Sequence, residues 1–184
     1  NLPLISVEVL VLAGGLGTRF SKVMNGTPKL LAPIAGRPFL DHLISWLSRY
    51  GVRKIVLSLG HLAQEIIDHL AANPYPGVEI DTIVEGRPLG TAGGIANARS
   101  LLTSDPVMVM NGDSFIDANL GNFLDFHNVN QFGASIICAR VDDVSRYGSV
   151  EVTSNGRITA FREKDAAVNS VGTINGGVYL LGAR

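Results

Sequence analysis

The sequence lacks the features that define several large classes of protein. Only one of its 184 residues is a cysteine, Cys138, so no internal disulfide can form. Its 15 lysines and arginines are outnumbered by 16 aspartates and glutamates, and a net charge of −1 is not that of a non-specific nucleic-acid binder. The longest apolar runs, such as PVMVM and KIVLSLG, are far shorter than the roughly 20 residues that span a bilayer. We therefore expect neither a membrane nor a nucleic-acid partner.

The remaining composition is typical of a globular protein with a sizeable core. Hydrophobic residues make up 46% of the chain and charged residues 17%, which suits one well-packed domain over residues 1–184. The N-terminus shows no basic region followed by an apolar core and a cleavage site, so we expect a cytoplasmic protein. Cys138 lies in an apolar run and is expected to be a buried core residue. The four histidines are scattered without the spacing of metal ligands.

Strands and helices are predicted to alternate along most of the chain. Strand-like segments at residues 7–12, 54–60, 78–85 and 106–114 alternate with helix-like segments at residues 38–51, 61–72, 91–102 and 120–129. Further strands are predicted at residues 134–141, 148–153, 157–164 and 174–181. This order predicts an α/β protein, a Rossmann-like three-layer α/β/α sandwich with a mostly parallel, mixed central sheet.

A glycine-rich loop follows the first predicted strand, where Gly14, Gly15 and Gly17 stand close together. Ligands of open α/β sheets bind beyond the carboxyl ends of the strands. Glycines at such an end let backbone N–H groups approach a phosphate without interference from a Cβ atom. The loop is therefore a candidate phosphate-binding segment.

Two common glycine motifs do not fit this loop. A dinucleotide fingerprint needs a third glycine where Phe20 stands, and a P-loop needs a Gly-Lys-Ser or Gly-Lys-Thr step that never occurs. A plain turn without a ligand accounts for one or two glycines, but not for Arg19 and Lys29 on either side of the segment.

Taken whole, the pattern G-G-x-G-T-R followed by P-K-x-x-x-P-I resembles the signature of the sugar-1-phosphate nucleotidyltransferases, and the resemblance covers nearly the whole chain. It implies the nucleotide-diphospho-sugar transferase type of fold and a bound nucleoside triphosphate. In that family a sugar-phosphate oxygen attacks the α-phosphorus and pyrophosphate leaves, so that positioning and charge neutralisation replace a covalent nucleophile. The implied nucleotide-binding residues of the loop are Leu12, Ala13, Gly14, Gly15, Gly17 and Thr18, and the implied catalytic residues are Arg19, Lys29 and Asp113.

Two further motifs match the family in order along the chain. The resemblance makes Asp113 of MNGDS a Mg²⁺ ligand, in keeping with the preference of this ion for carboxylate and phosphate oxygens. It assigns Glu85, Gly90 and Thr91 of EGRPLGTAGGI to the nucleobase, and a carboxylate suits guanine because the N1–H and N2 groups of that base are donors. The alternative for Glu85 is a solvated loop acid.

The implied sugar-phosphate residues are Gly112, Gly148, Glu163, Lys164 and Asn175. Taken alone, Glu163-Lys164 is an ordinary surface charge pair. Within the family, the PLGTAG loop and the closing motifs are most similar to the branch of D-glycero-D-manno-heptose 1-phosphate guanylyltransferases. That branch uses GTP and makes a nucleotide-sugar for surface polysaccharide.

Several alternatives stay open at this point. Mannose-1-phosphate guanylyltransferases and N-acetylmuramic acid 1-phosphate uridylyltransferases share the sugar motifs, and a non-catalytic regulatory module would also bind nucleotide or sugar phosphate. The family's second metal-binding aspartate, in a D-x-G motif, does not occur after Gly177. We therefore expect the native chain to continue beyond residue 184. Since many relatives self-associate, a homodimer is a further expectation.

Overall fold

The fold is built on a mixed eight-stranded sheet in a computed structural model that describes residues 3–15, 26–145, 147–162 and 170–182. The strands are β1 (Val9–Ala13), β2 (Pro33–Ile34), β3 (Arg37–Pro38), β4 (Lys54–Leu59), β5 (Glu79–Val84), β6 (Val107–Asn111), β7 (Ala134–Val141), β8 (Ser149–Val152), β9 (Ile158–Arg162) and β10 (Gly172–Leu181). The helices are α1 (Phe39–Arg49), α2 (Ala63–Ala72), α3 (Gly90–Ala98) and α4 (Leu120–Asn130), with 3-10 turns at Lys29–Leu31 and Arg99–Leu101.

The first half of the chain forms the parallel part of the sheet, in the order β5-β4-β1-β6. Val9 of β1 is aligned with Ile55 of β4 on one side and with Met108 of β6 on the other. Because these strands run in the same direction, their carboxyl ends meet at one edge of the sheet. The loops that follow them are therefore brought together at that edge.

Alternate residues of the central strands pack against helices on opposite faces of the sheet. Val9 and Val11 belong to a large core cluster that includes buried side chains of α1, α2 and α4. Leu10, between them, belongs to a smaller cluster with Ala98 of α3. Both faces are apolar, which is why β1 reads as a continuous hydrophobic run rather than an alternating one. The predicted three-layer α/β/α sandwich is confirmed.

The second half adds the antiparallel part of the sheet. Strand β10 pairs antiparallel with β6, β7 and β8, and β8 continues to β9. A register shift between Asn175 and Tyr179 interrupts β10, and Gly177 at this bulge has a φ of +75°, which favours glycine. The predicted mixed character of the central sheet is confirmed.

A polar cluster joins α1 to α2 and to the segment after it. The Asp41 carboxylate accepts a hydrogen bond from Tyr75 Oη at 2.6 Å and lies 2.8 Å from His69 Nε2. Burial alone raises the pKa of Asp41, but these two partners outweigh burial and hold the pKa below its ordinary value of 3.8. The cluster thus fixes the packing of two helices on the same face of the sheet.

Some local features differ from the sequence-based expectation or add to it. Strands β2 and β3 form a short hairpin that was not predicted, with Ala35 and Gly36 at φ values of +49° and +80° in the turn. Cys138 is half-buried in β7 rather than deep in the core, and burial raises the pKa of its thiol. Within the described ranges, none of the helices combines the length and the apolar character needed to span a membrane.

Candidate active site

A cavity of about 290 Å³ opens at the sheet edge where the parallel strands end. The segments after β1, β4, β5 and β6 all contribute to its walls, together with the 3-10 turn that begins at Lys29. Its lining consists of Leu12, Ala13, Gly14, Gly15, Thr27, Pro28, Lys29, Leu30, His61, Leu62, Ile66, Glu85, Pro88, Gly90, Thr91, Asn111, Gly112 and Asp113. The cavity therefore lies where the strand order predicts a ligand site.

Most of the sequence-predicted site residues that the structure describes lie together in this cavity. They are Leu12, Ala13, Gly14, Gly15, Lys29, Glu85, Gly90, Thr91, Gly112 and Asp113. The predicted residues Gly17, Thr18, Arg19, Glu163 and Lys164 fall outside the described residues. Gly148 and Asn175 are described but do not line the cavity.

Lys29 and Asp113 form an ion pair across the cavity. The Lys29 Nζ atom lies 2.8 Å from Asp113 Oδ2, although the two residues are 84 positions apart in the sequence. Lys29 is placed by the turn that follows Pro28, and Asp113 by the loop that follows β6. Their side chains are 39% and 51% exposed, so both charged groups are open to a ligand.

Glu85 is anchored from two elements at once. Its Oε1 atom accepts a hydrogen bond from Ser58 Oγ on β4 at 2.8 Å, and its Oε2 atom accepts one from the backbone N–H of Leu89 at 3.1 Å. The Glu85 backbone N–H also donates to the carbonyl of Leu59 at 2.7 Å. Glu85 is half-buried and held in one orientation, so it is not a freely solvated loop acid.

Three glycines at this edge are required by close approach. A Cβ atom added to Gly14 would lie 2.5 Å from Glu85 Oε2, and one added to Gly60 would lie 2.8 Å from the carbonyl carbon of Gly14. A Cβ atom at Gly112 would lie 2.9 Å from the carbonyl oxygen of Leu12. These distances are well below ordinary van der Waals contact. A side chain at Gly60 or Gly112 would therefore displace the backbone of a neighbouring segment, and one at Gly14 would displace either the loop or the Glu85 carboxylate.

The cavity also includes residues that sequence reasoning missed. His61 follows β4, and Asn111 ends β6, so both stand at the carboxyl ends of parallel strands. That position alone could have identified them, because the same rule identified Gly14 and Asp113. Thr27 and Pro88 have no comparable signal in the sequence.

Asn175 is engaged in the β10 bulge. Its Nδ2 donates to Tyr179 Oη at 2.8 Å, and its Oδ1 accepts from the backbone N–H of Gly177 at 2.8 Å. A Cβ atom at Gly148 would lie 3.1 Å from the carbonyl oxygen of Arg162 on the paired strand. These contacts give both residues a local structural role, and their predicted contact with a sugar phosphate stays a prediction.

The described residues offer a metal only part of a coordination sphere. Within those ranges no three His, Cys, Asp or Glu side chains are grouped so as to hold an ion by themselves. Asp113 nevertheless presents a half-exposed carboxylate to the cavity. Such a donor fits a hard cation that takes one or two carboxylates and completes its coordination with phosphate oxygens and water.

Comparison with known proteins defines the class to which this fold and cavity belong. The family model described as nucleotidyl transferase matches residues 8–183. The chain therefore belongs to the nucleotidyl transferase family. The relatives of the chain show that, within that family, it is a sugar-1-phosphate nucleotidyltransferase.

The similar proteins include two guanylyltransferases and a solved structure. The chain is 34% identical over 174 residues to D-glycero-alpha-D-manno-heptose 1-phosphate guanylyltransferase of Aneurinibacillus thermoaerophilus, covering 95% of this chain and 74% of that protein. It is 35% identical over 176 residues to mannose-1-phosphate guanylyltransferase of Mycobacterium tuberculosis, covering 95% of this chain and 48% of that protein. The crystal structure of HddC from Yersinia pseudotuberculosis complexed with GMP-PN superposes with a TM-score of 0.84 at 35% identity, covering 96% of this chain and 76% of that one.

Proposed function

We propose that this protein transfers GMP from GTP to D-glycero-D-manno-heptose 1-phosphate, giving a GDP-sugar and pyrophosphate. The observation that carries the proposal is the cavity itself. Four separate sequence segments bring a glycine loop, a lysine, a carboxylate open to a metal and a carboxylate held by two donors to one sheet edge. Those are the groups that a nucleoside triphosphate and its counter-ion require.

The charged pair supplies the groups nearest the reacting phosphate. An oxygen of the sugar 1-phosphate attacks the α-phosphorus, and the bond from that phosphorus to the bridging oxygen of the β-phosphate breaks. We infer that Lys29 turns from Asp113 to donate to an α-phosphate oxygen, where its charge offsets the negative charge of the transition state. The half-exposed ion pair holds Lys29 only weakly, since pairs of this kind contribute about 0–1 kcal/mol.

The residues present fit a Mg²⁺ ion held by Asp113. Releasing Lys29 frees Asp113 Oδ2, while Oδ1 accepts a hydrogen bond from Ser114 Oγ at 3.4 Å, and the nucleotide supplies the remaining anionic oxygens. When bound, the ion neutralises phosphate charge during the transfer. Arg19 is assigned to the β- and γ-phosphates on the family resemblance alone.

Glu85 is the proposed reader of the nucleobase. Its carboxylate accepts hydrogen bonds and has no donor when ionised, so it matches the N1–H and N2 amino groups of guanine. The glycine-rich walls at Gly14 and Gly90 allow the base to approach the backbone. Support for a guanine nucleotide also comes from the guanylyltransferase relatives and from the GMP-PN complex of HddC.

The sugar is the less constrained half of the proposal. The heptose is favoured by the similarity of the PLGTAG loop and the closing motifs to that branch, and by two heptose 1-phosphate guanylyltransferase relatives that are 34% and 31% identical to this chain. The near-equal identities of 34% and 35% keep mannose 1-phosphate as the second candidate.

A panel assay tests the proposal. Pyrophosphate release would be measured for the full-length protein with Mg²⁺, each of the four nucleoside triphosphates, and the 1-phosphates of D-glycero-D-manno-heptose, mannose and N-acetylmuramic acid. We expect the highest kcat/KM with GTP and the heptose 1-phosphate. Preference for UTP would overturn the guanylyl assignment, preference for mannose 1-phosphate the heptose assignment, and no release with any pair the enzymatic proposal.

A further inference from the structure

We propose that Ser58 is a positioning residue that orients the Glu85 carboxylate for selection of the nucleobase. The inference rests on the proposed function, in which Glu85 reads the base. Ser58 is not among the residues that line the cavity, so it would act through Glu85 rather than through the nucleotide. Motif analysis gave no indication of this residue, because it lies within the apolar run of β4.

The first argument is the burial of Ser58. Its side chain is 0% exposed, and its strand neighbours Leu57 and Leu59 are also fully buried. A buried hydroxyl without a partner is destabilising, so a serine at this point of an apolar strand requires a compensating hydrogen bond. Its hydroxyl makes that bond to Glu85 Oε1 at 2.8 Å.

The second argument is that each oxygen of the Glu85 carboxylate has its own hydrogen-bond donor. Ser58 holds Oε1 and the Leu89 N–H holds Oε2, so the two oxygens are fixed by different elements. Ordinary Glu side chains have a broad preference at the last torsion, and one anchor would leave the carboxylate plane free to turn. Two anchors fix that plane, while an ionised carboxylate keeps further lone pairs for donors of a ligand.

The third argument is the close packing of glycines around the same group. A Cβ atom at Gly94 would lie 3.1 Å from Glu85 Oε1 and 3.6 Å from Ser58 Oγ, and Gly14 approaches the carboxylate from the cavity side. Ser58 is also aligned with Leu12 of β1, which lines the cavity. The Ser58–Glu85 pair is therefore enclosed between the helix α3 and the glycine-rich loop at Gly14. A small rotation of the Glu85 carboxylate there changes the direction in which its oxygens face the cavity.

The readout that separates positioning from stability is discrimination between two bases. Inosine triphosphate lacks only the exocyclic amino group of GTP, so the ratio of their dissociation constants reports how well Glu85 is aimed at that group. A hydrogen bond to a charged acceptor contributes about 1.5–3 kcal/mol, which corresponds to a preference for GTP of at least about tenfold. We expect loss of the Ser58 hydroxyl to reduce this preference to about threefold or less.

The test uses isothermal titration calorimetry with GTP and inosine triphosphate, in the presence of Mg²⁺ and without sugar phosphate. The variants are Ser58→Ala and the equal-shaped pair Ser58→Thr and Ser58→Val, which differ only in the hydroxyl. Ser58→Thr is expected to keep the preference for GTP, and Ser58→Val to lose it. Since both add the same volume to a buried site, the pair remains informative if either change lowers stability.

Two controls separate the possible failures. Ser135→Ala removes another buried hydroxyl, which lies on β7 and is 2.9 Å from His127 Nδ1 of α4. This variant is expected to keep the wild-type preference for GTP over inosine triphosphate. Glu85→Gln is expected to abolish the preference for GTP over inosine triphosphate. If Glu85→Gln abolishes it while Ser58→Val and Ser58→Ala retain it, the Ser58 inference is wrong and the proposed function stands. If the wild-type protein does not prefer GTP, Glu85 does not recognise the N2 amino group, and both the Ser58 inference and the assignment of Glu85 to the base are overturned, whereas GMP transfer is tested separately by the panel assay.

Discussion

Replacing Gly14 by alanine is a direct test of how the nucleotide loop and Glu85 fit together. The new Cβ atom would lie 2.5 Å from Glu85 Oε2, about 1 Å inside van der Waals contact, so the loop or the carboxylate must move. Moving the carboxylate breaks its bonds from Ser58 and from the Leu89 N–H. Bonds to a charged group contribute about 1.5–3 kcal/mol each, and solvation of the half-buried carboxylate recovers part of this.

We therefore expect Gly14→Ala to cost about 3 kcal/mol and to lower the melting temperature by about 6–12 °C. GTP affinity should fall at least about tenfold, because the displaced carboxylate no longer meets the base. Gly15→Ala is the matched control for stability, since no atom of the described residues lies within 4 Å of a Cβ at that position and its φ is not positive. That variant should stay within about 0.5 kcal/mol of wild type.

The assay combines thermal unfolding with GTP titration in a double-mutant cycle. In a Glu85→Ala background the space is empty, so Gly14→Ala should cost almost nothing, and the coupling energy should be large. Equal melting temperatures for Gly14→Ala and Gly15→Ala, or an unchanged GTP affinity of Gly14→Ala, would refute the reasoning.

Three further outcomes follow from other contacts. Lys29→Ala should lower kcat, measured by pyrophosphate release, by at least about a hundredfold. Its melting temperature in thermal unfolding should stay within about 2 °C of wild type, since the exposed ion pair of Lys29 adds little stability. Gly60→Ala should destabilise more than Gly14→Ala, because its Cβ atom meets the Gly14 backbone rather than a side chain that can turn away. Asp41 has a folded-state pKa below 3.8, so its contribution is present above that pH and is lost as the pH falls through the folded value. Asp41→Asn should therefore lower stability at neutral pH by about 1–2 kcal/mol, and in denaturant titrations it should flatten the loss of stability that the wild type shows as the pH falls below 3.8.

Much of the fold follows from the sequence because its central parallel strands, β1, β4 and β6, are largely buried on both faces. Continuous apolar runs such as 54–60 alternate with helical patterns, and this order determines the class of sheet before any contact is known. The rule that ligands bind at the carboxyl ends of such strands then brings Gly14 and Asp113 to one edge. The cavity at that edge agrees with this expectation.

The contacts between those segments were not accessible from the sequence. Nothing in the run KIVLSLG indicates that Ser58 is bonded to Glu85, because hydrogen bonds across neighbouring strands depend on register, and register is fixed by the whole sheet. Glu85 directly follows β5 and Gly14 directly follows β1, but nothing in the sequence predicts that the Glu85 carboxylate packs against Gly14. The hairpin of β2 and β3 was missed because each strand is only two residues long.

The central claim is transfer of a nucleotidyl group, with attack at the α-phosphorus of GTP. Phosphorus-31 NMR of a reaction with GTP, D-glycero-D-manno-heptose 1-phosphate and Mg²⁺ tests it most directly. The account predicts that the sugar 1-phosphate and GTP signals are replaced by those of a GDP-sugar and inorganic pyrophosphate, in equal amounts, and that Lys29→Ala slows this conversion. Appearance of GDP with orthophosphate, or no change in the spectrum of the full-length protein, would contradict it.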